Sequence, residues 1–120
     1  MIYNKNNEKY KKTICLNMIV KNEAHIISET LDNLLSYIHF DYWVISDTGS
    51  TDGTQEIIKN YFNSKDIPGE LFQDEWSDFG YNRTLALSHA NKKTDYLFIF
   101  DADDSIHGNF KLPPYSSFKE

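Results

Sequence analysis

The sequence is poor in cysteine, proline, glycine and arginine: its 120 residues include one Cys, three Pro, five Gly and a single Arg, Arg83. The lone thiol, Cys15, cannot close an internal disulfide, which excludes a disulfide-stapled secreted scaffold. So little glycine and proline, with no repeat, excludes collagen-like and low-complexity chains. No apolar run approaches the roughly 20 residues needed to cross a bilayer. The first twelve residues, MIYNKNNEKYKK, are too polar for a secretory signal. These absences lead to the expectation of a soluble, cytoplasmic protein with no membrane span. Positive charge is short as well, 12 Lys and Arg against 18 Asp and Glu, for a net charge of -6. Coating nucleic acid needs a cationic surplus, so nucleic acid is not an expected partner, and an anionic ligand would need a local device.

What is present is an ordinary globular composition, 40% hydrophobic and 25% charged. Its length suits one domain, since domains commonly run to about 100 to 150 residues. After a polar leader, residues 1–12, the apolar run over residues 13–20 is rich in strand formers and reads as a buried strand. Residues 22–37 carry Ile26, Ile27, Leu31, Leu34 and Leu35 at helical spacing, with Asn22 as the expected cap. Residues 42–46 read as a second strand, closed by the small, turn-forming run Asp47-Thr48-Gly49-Ser50-Thr51-Asp52-Gly53. Asp52 and Gln55 then resemble a capping box for a helix that buries Ile57, Ile58, Tyr61 and Phe62. Pro68-Gly69 breaks the chain before a weaker strand over residues 70–73. A helix over residues 79–90 carries Leu85 and Leu87 amid polar residues, and Tyr96-Leu97-Phe98-Ile99-Phe100 is the strongest strand. Strands alternating with helices predict an α/β, Rossmann-like fold with a mostly parallel sheet and right-handed crossovers. The tail, residues 109–120, reads as irregular.

Open parallel sheets bind ligands beyond the carboxyl ends of their strands. Polar residues fall there after every strong strand: Asn22 and Glu23, then Asp47, then Asp101, Asp103 and Asp104. Asp101 and Asp103, two apart in extended chain, point the same way. Two like charges so close favour a bound cation, Mg2+ or Mn2+, shared with waters and substrate phosphates. Such an ion would let an acidic protein take a diphosphate.

Other motifs fail on their letters. An EF-hand loop starting at Asp101 would need Gly and Glu where Ile106 and Leu112 stand. A P-loop needs a lysine that residues 47–54 lack. His25, His39, His89 and His107 share no zinc-ligand spacing with each other or with Cys15. Asp74, Glu75 and Asp78 read as a solvated acidic turn.

Four blocks, Met18-Ile19-Val20-Lys21-Asn22-Glu23, the run from Val44 to Thr54, Trp76-Ser77-Asp78-Phe79-Gly80-Tyr81-Asn82-Arg83, and Phe100-Asp101-Ala102-Asp103-Asp104, resemble in order and spacing the N-terminal half of a GT-A fold, family 2-like glycosyltransferase. The resemblance covers residues 13–108. It implies a nucleotide-diphospho-sugar donor, most naturally a UDP-sugar, and transfer with inversion to an acceptor hydroxyl. By the same resemblance Asn22 and Glu23 sit beside the nucleotide, Asp47 contacts base or ribose, Asp101 approaches the ribose, and Asp103 holds the metal. Arg83 falls on the helix after the third strand, where its planar fork would suit a phosphate or ribose edge; an exposed helix cation is the other reading. Two positions depart from the commoner family pattern: Thr48 stands where a second Asp is usual, and Ile19 where a Pro is usual.

The family's acceptor side and catalytic base lie downstream of its Asp-x-Asp block, so this chain is expected to be a truncated copy or a piece completed by a partner chain. Its last strand, deprived of neighbours, would expose apolar surface and an open edge and promote self-association. Two alternatives stand beside the transferase: a catalytically silent nucleotide-sugar or partner-binding module, and a phosphotransferase with Asp101 as nucleophile.

Overall fold

A computed structural model describes residues 2–3, 9–10, 12–101 and 118–119 of the chain. A small antiparallel pair, β1 (Ile2–Tyr3) with β2 (Lys9–Tyr10), lies within the polar leader. The main sheet then alternates with helices: β3 (Ile14–Val20), α1 (Ile27–Tyr37), β4 (Tyr42–Asp47), α2 (Thr54–Ser64), β5 (Gly69–Gln73), α3 (Phe79–His89) and β6 (Tyr96–Ile99), with β7 (Phe118–Lys119) at its edge. The order across the sheet is β5-β4-β3-β6-β7, parallel from β5 to β6 and antiparallel at β7. This is the Rossmann-like, mostly parallel α/β sheet expected from the sequence.

The order fixes where a ligand can enter. The chain steps outward from β3 to β4 to β5, then returns to lay β6 on the other side of β3. The strand order therefore reverses between β3 and β6, and a crevice opens there at their C-terminal ends.

Side chains alternate across the strands, so each face has its own core. Leu16, Met18 and Val20 of β3, with Trp43 and Ile45 of β4, pack against Ile27, Leu31 and Leu34 of α1 and Ile58 and Phe62 of α2. The rings of Trp43 and Phe62 stack at 4.7 Å. Trp43 also explains Gly69: a Cβ there would lie 2.3 Å from the indole ring, so the residue that reads as a chain break is also a packing requirement. On the opposite face Cys15, Val44 and Leu97 pack against Ala90, just past α3.

Three local expectations need correction. The first helix begins at Ile27, with Ile26 rather than Asn22 at its cap. Asn22 has φ of 51°, a left-handed conformation that cannot continue into a helix. At α2 the Asp52–Gln55 box does not close. Asp52 Oδ1 accepts from the Thr54 amide at 3.1 Å, Gly53 takes the cap position with φ of 92°, and Gln55 turns away to Asp47. Within the tail read as irregular, Phe118 and Lys119 form β7 and cover β6 at Phe98 and Leu97, the strand expected to be an open edge.

Candidate functional site

Each strand-end residue is positioned by loop chemistry. After β4, Asp47 is 1% exposed. Its Oδ1 accepts from the amides of Gly49 and Ser50 at 2.9 and 2.8 Å and from Gln55 Nε2 at 3.1 Å. Its Oδ2 is buried and has no partner among the described residues.

The loop after β3 is clasped to the loop after β4. The amides of Asn22 and Glu23 donate to Ser50 Oγ at 2.8 Å and Thr54 Oγ1 at 2.9 Å, and Thr51 donates its amide to Asn22 Oδ1 at 2.8 Å. Ala24 donates to Asp52 Oδ2 at 3.1 Å. The Thr54 hydroxyl and then the Ala24 amide hold the Asp52 carboxyl below its usual range. The left-handed turn at Asn22 is what brings its side chain to this clasp.

After β6, Asp101 Oδ1 accepts from the Ile19 amide at 3.1 Å and from Nη2 of Arg83. Arg83 is thus not an exposed helix cation, since its side chain and that of Asp101 are each 13% exposed. Asp103 and Asp104 lie outside the described residues. Among the described residues no cluster of His, Cys, Asp and Glu is large enough to hold a metal.

The crevice between β3 and β6 is a cleft of about 240 Å3 lined by Val20, Lys21, Glu23, Thr48 and Asp101, with Trp76 and Phe79 as an aromatic wall. Of the residues expected at the site, Glu23 and Asp101 line it, Asp47 lies one residue before Thr48, and Asn22 serves the loop clasp. Lys21, Trp76 and Phe79 fall within the blocks that carry the family resemblance but were given no role of their own. Lys21 brings a positive charge to the lining of the cleft. The exposure of Trp76 and Phe79, 47% and 57%, is itself unusual for such large apolar groups. Buried Asn82 fixes this wall by accepting from the Ser77 amide at 2.8 Å and donating to the Glu75 carbonyl at 3.1 Å.

The acidic turn also differs from expectation. Asp78 caps α3, accepting from the Tyr81 amide at 2.8 Å. The Asp74 side chain is 12% exposed and is shared by Ser46 Oγ at 2.6 Å and His89 Nε2 at 2.9 Å, with Phe72 stacked on the imidazole.

A parallel sheet with a cleft at the reversal of its strand order, flanked by carboxylates and an aromatic wall, has the architecture of a GT-A fold. The sequence model of glycosyl transferase family 2 matches residues 15–115, and the chain belongs to that family. Among solved structures it is similar to the mannosyltransferase PcManGT from Pyrobaculum calidifontis in complex with GDP-Man and Mn2+, with a TM-score of 0.65 and 27% identity. The alignment covers 78% of this chain and 28% of that one, so this chain spans well under half the length of its structural relative. No curated protein matches the sequence. Among the described residues no helix is long and apolar enough to cross a membrane.

Proposed function

We propose that the cleft binds a nucleotide-diphospho-sugar and that the chain serves sugar transfer to an acceptor hydroxyl, with inversion at the anomeric carbon. The observation that carries this reading is the convergence of Asp47 and Asp101 on the two flanks of β3 at the reversal of strand order. Asp47 Oδ2, buried and without a partner among the described residues, would accept from the base or ribose. Trp76 and Phe79 offer flat faces to the base, and Lys21 offers an ammonium to the phosphates. Glu23 borders the nucleotide from the β3 side, with Asn22 holding its loop.

A divalent ion, Mn2+ or Mg2+, fits this donor chemistry on one condition. Oδ1 of Asp101 already faces a guanidinium, which would repel a cation at the same atom; this supports the reading in which Asp103 would hold the metal and Asp101 would approach the ribose. When bound, the ion would neutralise charge that develops on the leaving diphosphate. The structural relative is in complex with GDP-Man, so GDP is tested beside UDP as the donor nucleotide.

Calorimetry with UDP, GDP, UDP-glucose and GDP-mannose, each with Mn2+, should show metal-dependent binding that is lost in Asp103→Ala. Absence of metal-dependent binding to all four overturns the reading. Nucleotide release in the presence of sugar acceptors then separates a transferase from a silent binding module.

A further inference from the structure

Asn17 lies in the middle of β3 and is fully buried, an amide in a strand built otherwise of apolar residues. Burying an amide costs free energy unless its hydrogen bonds are satisfied, so its partners indicate what it is for. Nδ2 donates to the carbonyls of Val44 at 3.1 Å and Ala86 at 3.0 Å. Both partners are acceptors, which fixes the amide orientation and turns Oδ1 toward α3. There Oδ1 accepts from Nη1 of Arg83, whose Nη2 donates to Oδ1 of Asp101. Asp101 lines the cleft, whereas Arg83 lies behind it and is not among the lining residues.

We propose that Asn17 and Arg83 are positioning residues for the cleft: Asn17 clamps one end of the guanidinium, and the other end sets the direction of the Asp101 carboxylate. The proposal deepens the nucleotide-sugar reading and rests on it. A free arginine side chain loses substantial rotamer entropy when it is ordered. A guanidinium already held at both Nη atoms bears that cost on folding, so the carboxylate meets its ligand preorganised. Lysine cannot do the same, because a point charge lacks the two-ended fork. The amide has a structural task as well, since Nδ2 satisfies the Val44 and Ala86 carbonyls, and the guanidinium spectra separate that task from the clamp made by Oδ1.

Arg83 is the chain's one arginine, so a guanidinium 15N spectrum reports on it alone. In the wild-type chain, restrained rotation should resolve the two Nη signals, and in Asn17→Leu they should merge. Asn17→Asp retains an acceptor facing Arg83 and should keep them resolved. Mn2+-dependent affinity for UDP or GDP, whichever binds tighter, should fall about tenfold in Asn17→Leu and in Arg83→Lys, and no further in the double variant. Phe40→Leu, in the core at the opposite end of the sheet, should keep wild-type affinity while lowering stability. Resolved Nη signals in Asn17→Leu, merged signals in Asn17→Asp, or losses that multiply in the double variant would each overturn the proposal. If the wild-type chain binds neither nucleotide, the functional reading fails, while the guanidinium spectra still decide the clamp.

Discussion

Successive residues of β3 and β4 point to opposite sides of one sheet, and the two sides differ in kind. Toward α1 and α2 the strands present Leu16, Met18, Val20, Trp43 and Ile45, and the helices answer with Ile27, Leu31, Leu34, Ile58 and Phe62. Toward α3 the same strands present Cys15, Asn17, Val44 and Ser46, and α3 answers with Asn82, Arg83, Ala86 and His89. The first side is dry and hydrophobic. The second threads hydrogen bonds through a small apolar patch and delivers them to the cleft. The innermost residues of α3 are Asn82 and Ala86, followed by Ala90 just beyond the helix, while Leu85 and Leu87 are only half-buried. Small side chains let the helix lie close enough for Asn17 to reach the Ala86 carbonyl. The difference teaches that stability and positioning are assigned to opposite sides of the same four strands.

The sharpest way to break that division is to empty the dry side. Phe62→Ala should lower unfolding free energy by about 3 to 5 kcal/mol, read from the urea midpoint, while the folded fraction retains wild-type nucleotide affinity. An affinity loss larger than the unfolded fraction accounts for would show that the two sides are coupled.

The next largest effect belongs to the α3 side and appears only at high pH. Burial pushes the Cys15 thiol up to about 12. Above the thiol's ordinary value the unfolded chain ionises first and the folded chain does not, so stability is complete below that value and falls as pH rises toward 12. Tyr61, raised by burial and then by its hydrogen bond to Asp32, acts in the same direction. Cys15→Ala should flatten this alkaline loss by about 2 kcal/mol near pH 11, measured as the difference between urea midpoints at neutral and high pH. An unchanged slope would mean that the thiol is not held in a dry site.

A smaller effect tests the wall of the cleft. Trp76→Ala should weaken Mn2+-dependent nucleotide binding by about 1 to 2 kcal/mol, as loss of base stacking does elsewhere. Its half-exposed position should leave the thermal midpoint almost unchanged. A large fall in midpoint with intact binding would assign Trp76 to the core instead.

Much of this was legible from patterns. Period-two and helical spacing located β3, β4, β5, α3 and β6 to within a residue or two, and the fall of acids after strands located Asp47 and Asp101 at one edge. What was not legible involves residues far apart in sequence. Asp74 looked like one acid in a solvated turn, yet Ser46 and His89 both reach it. Asn17 sits in a run that reads only as a buried strand, and no local rule shows that its amide meets an arginine 66 residues later. Asn22 failed as a helix cap because its preference for capping geometry competed with a left-handed turn that the β4 loop rewards with a hydrogen bond from Thr51.

The sequence by itself determined the alternation of strands and helices, because periodicity and turn chemistry act over a few residues and leave a trace in the letters. It determined as well that carboxylates would stand at strand ends. Only the tertiary structure decided that β6 returns beside β3 to open the cleft, that Trp76 and Phe79 wall it, and that Arg83 points inward to Asp101 rather than out to water. Those outcomes depend on strand order and on the closeness of α3 to the sheet. Both are set by burying two faces at once, and neither is a property of any short segment.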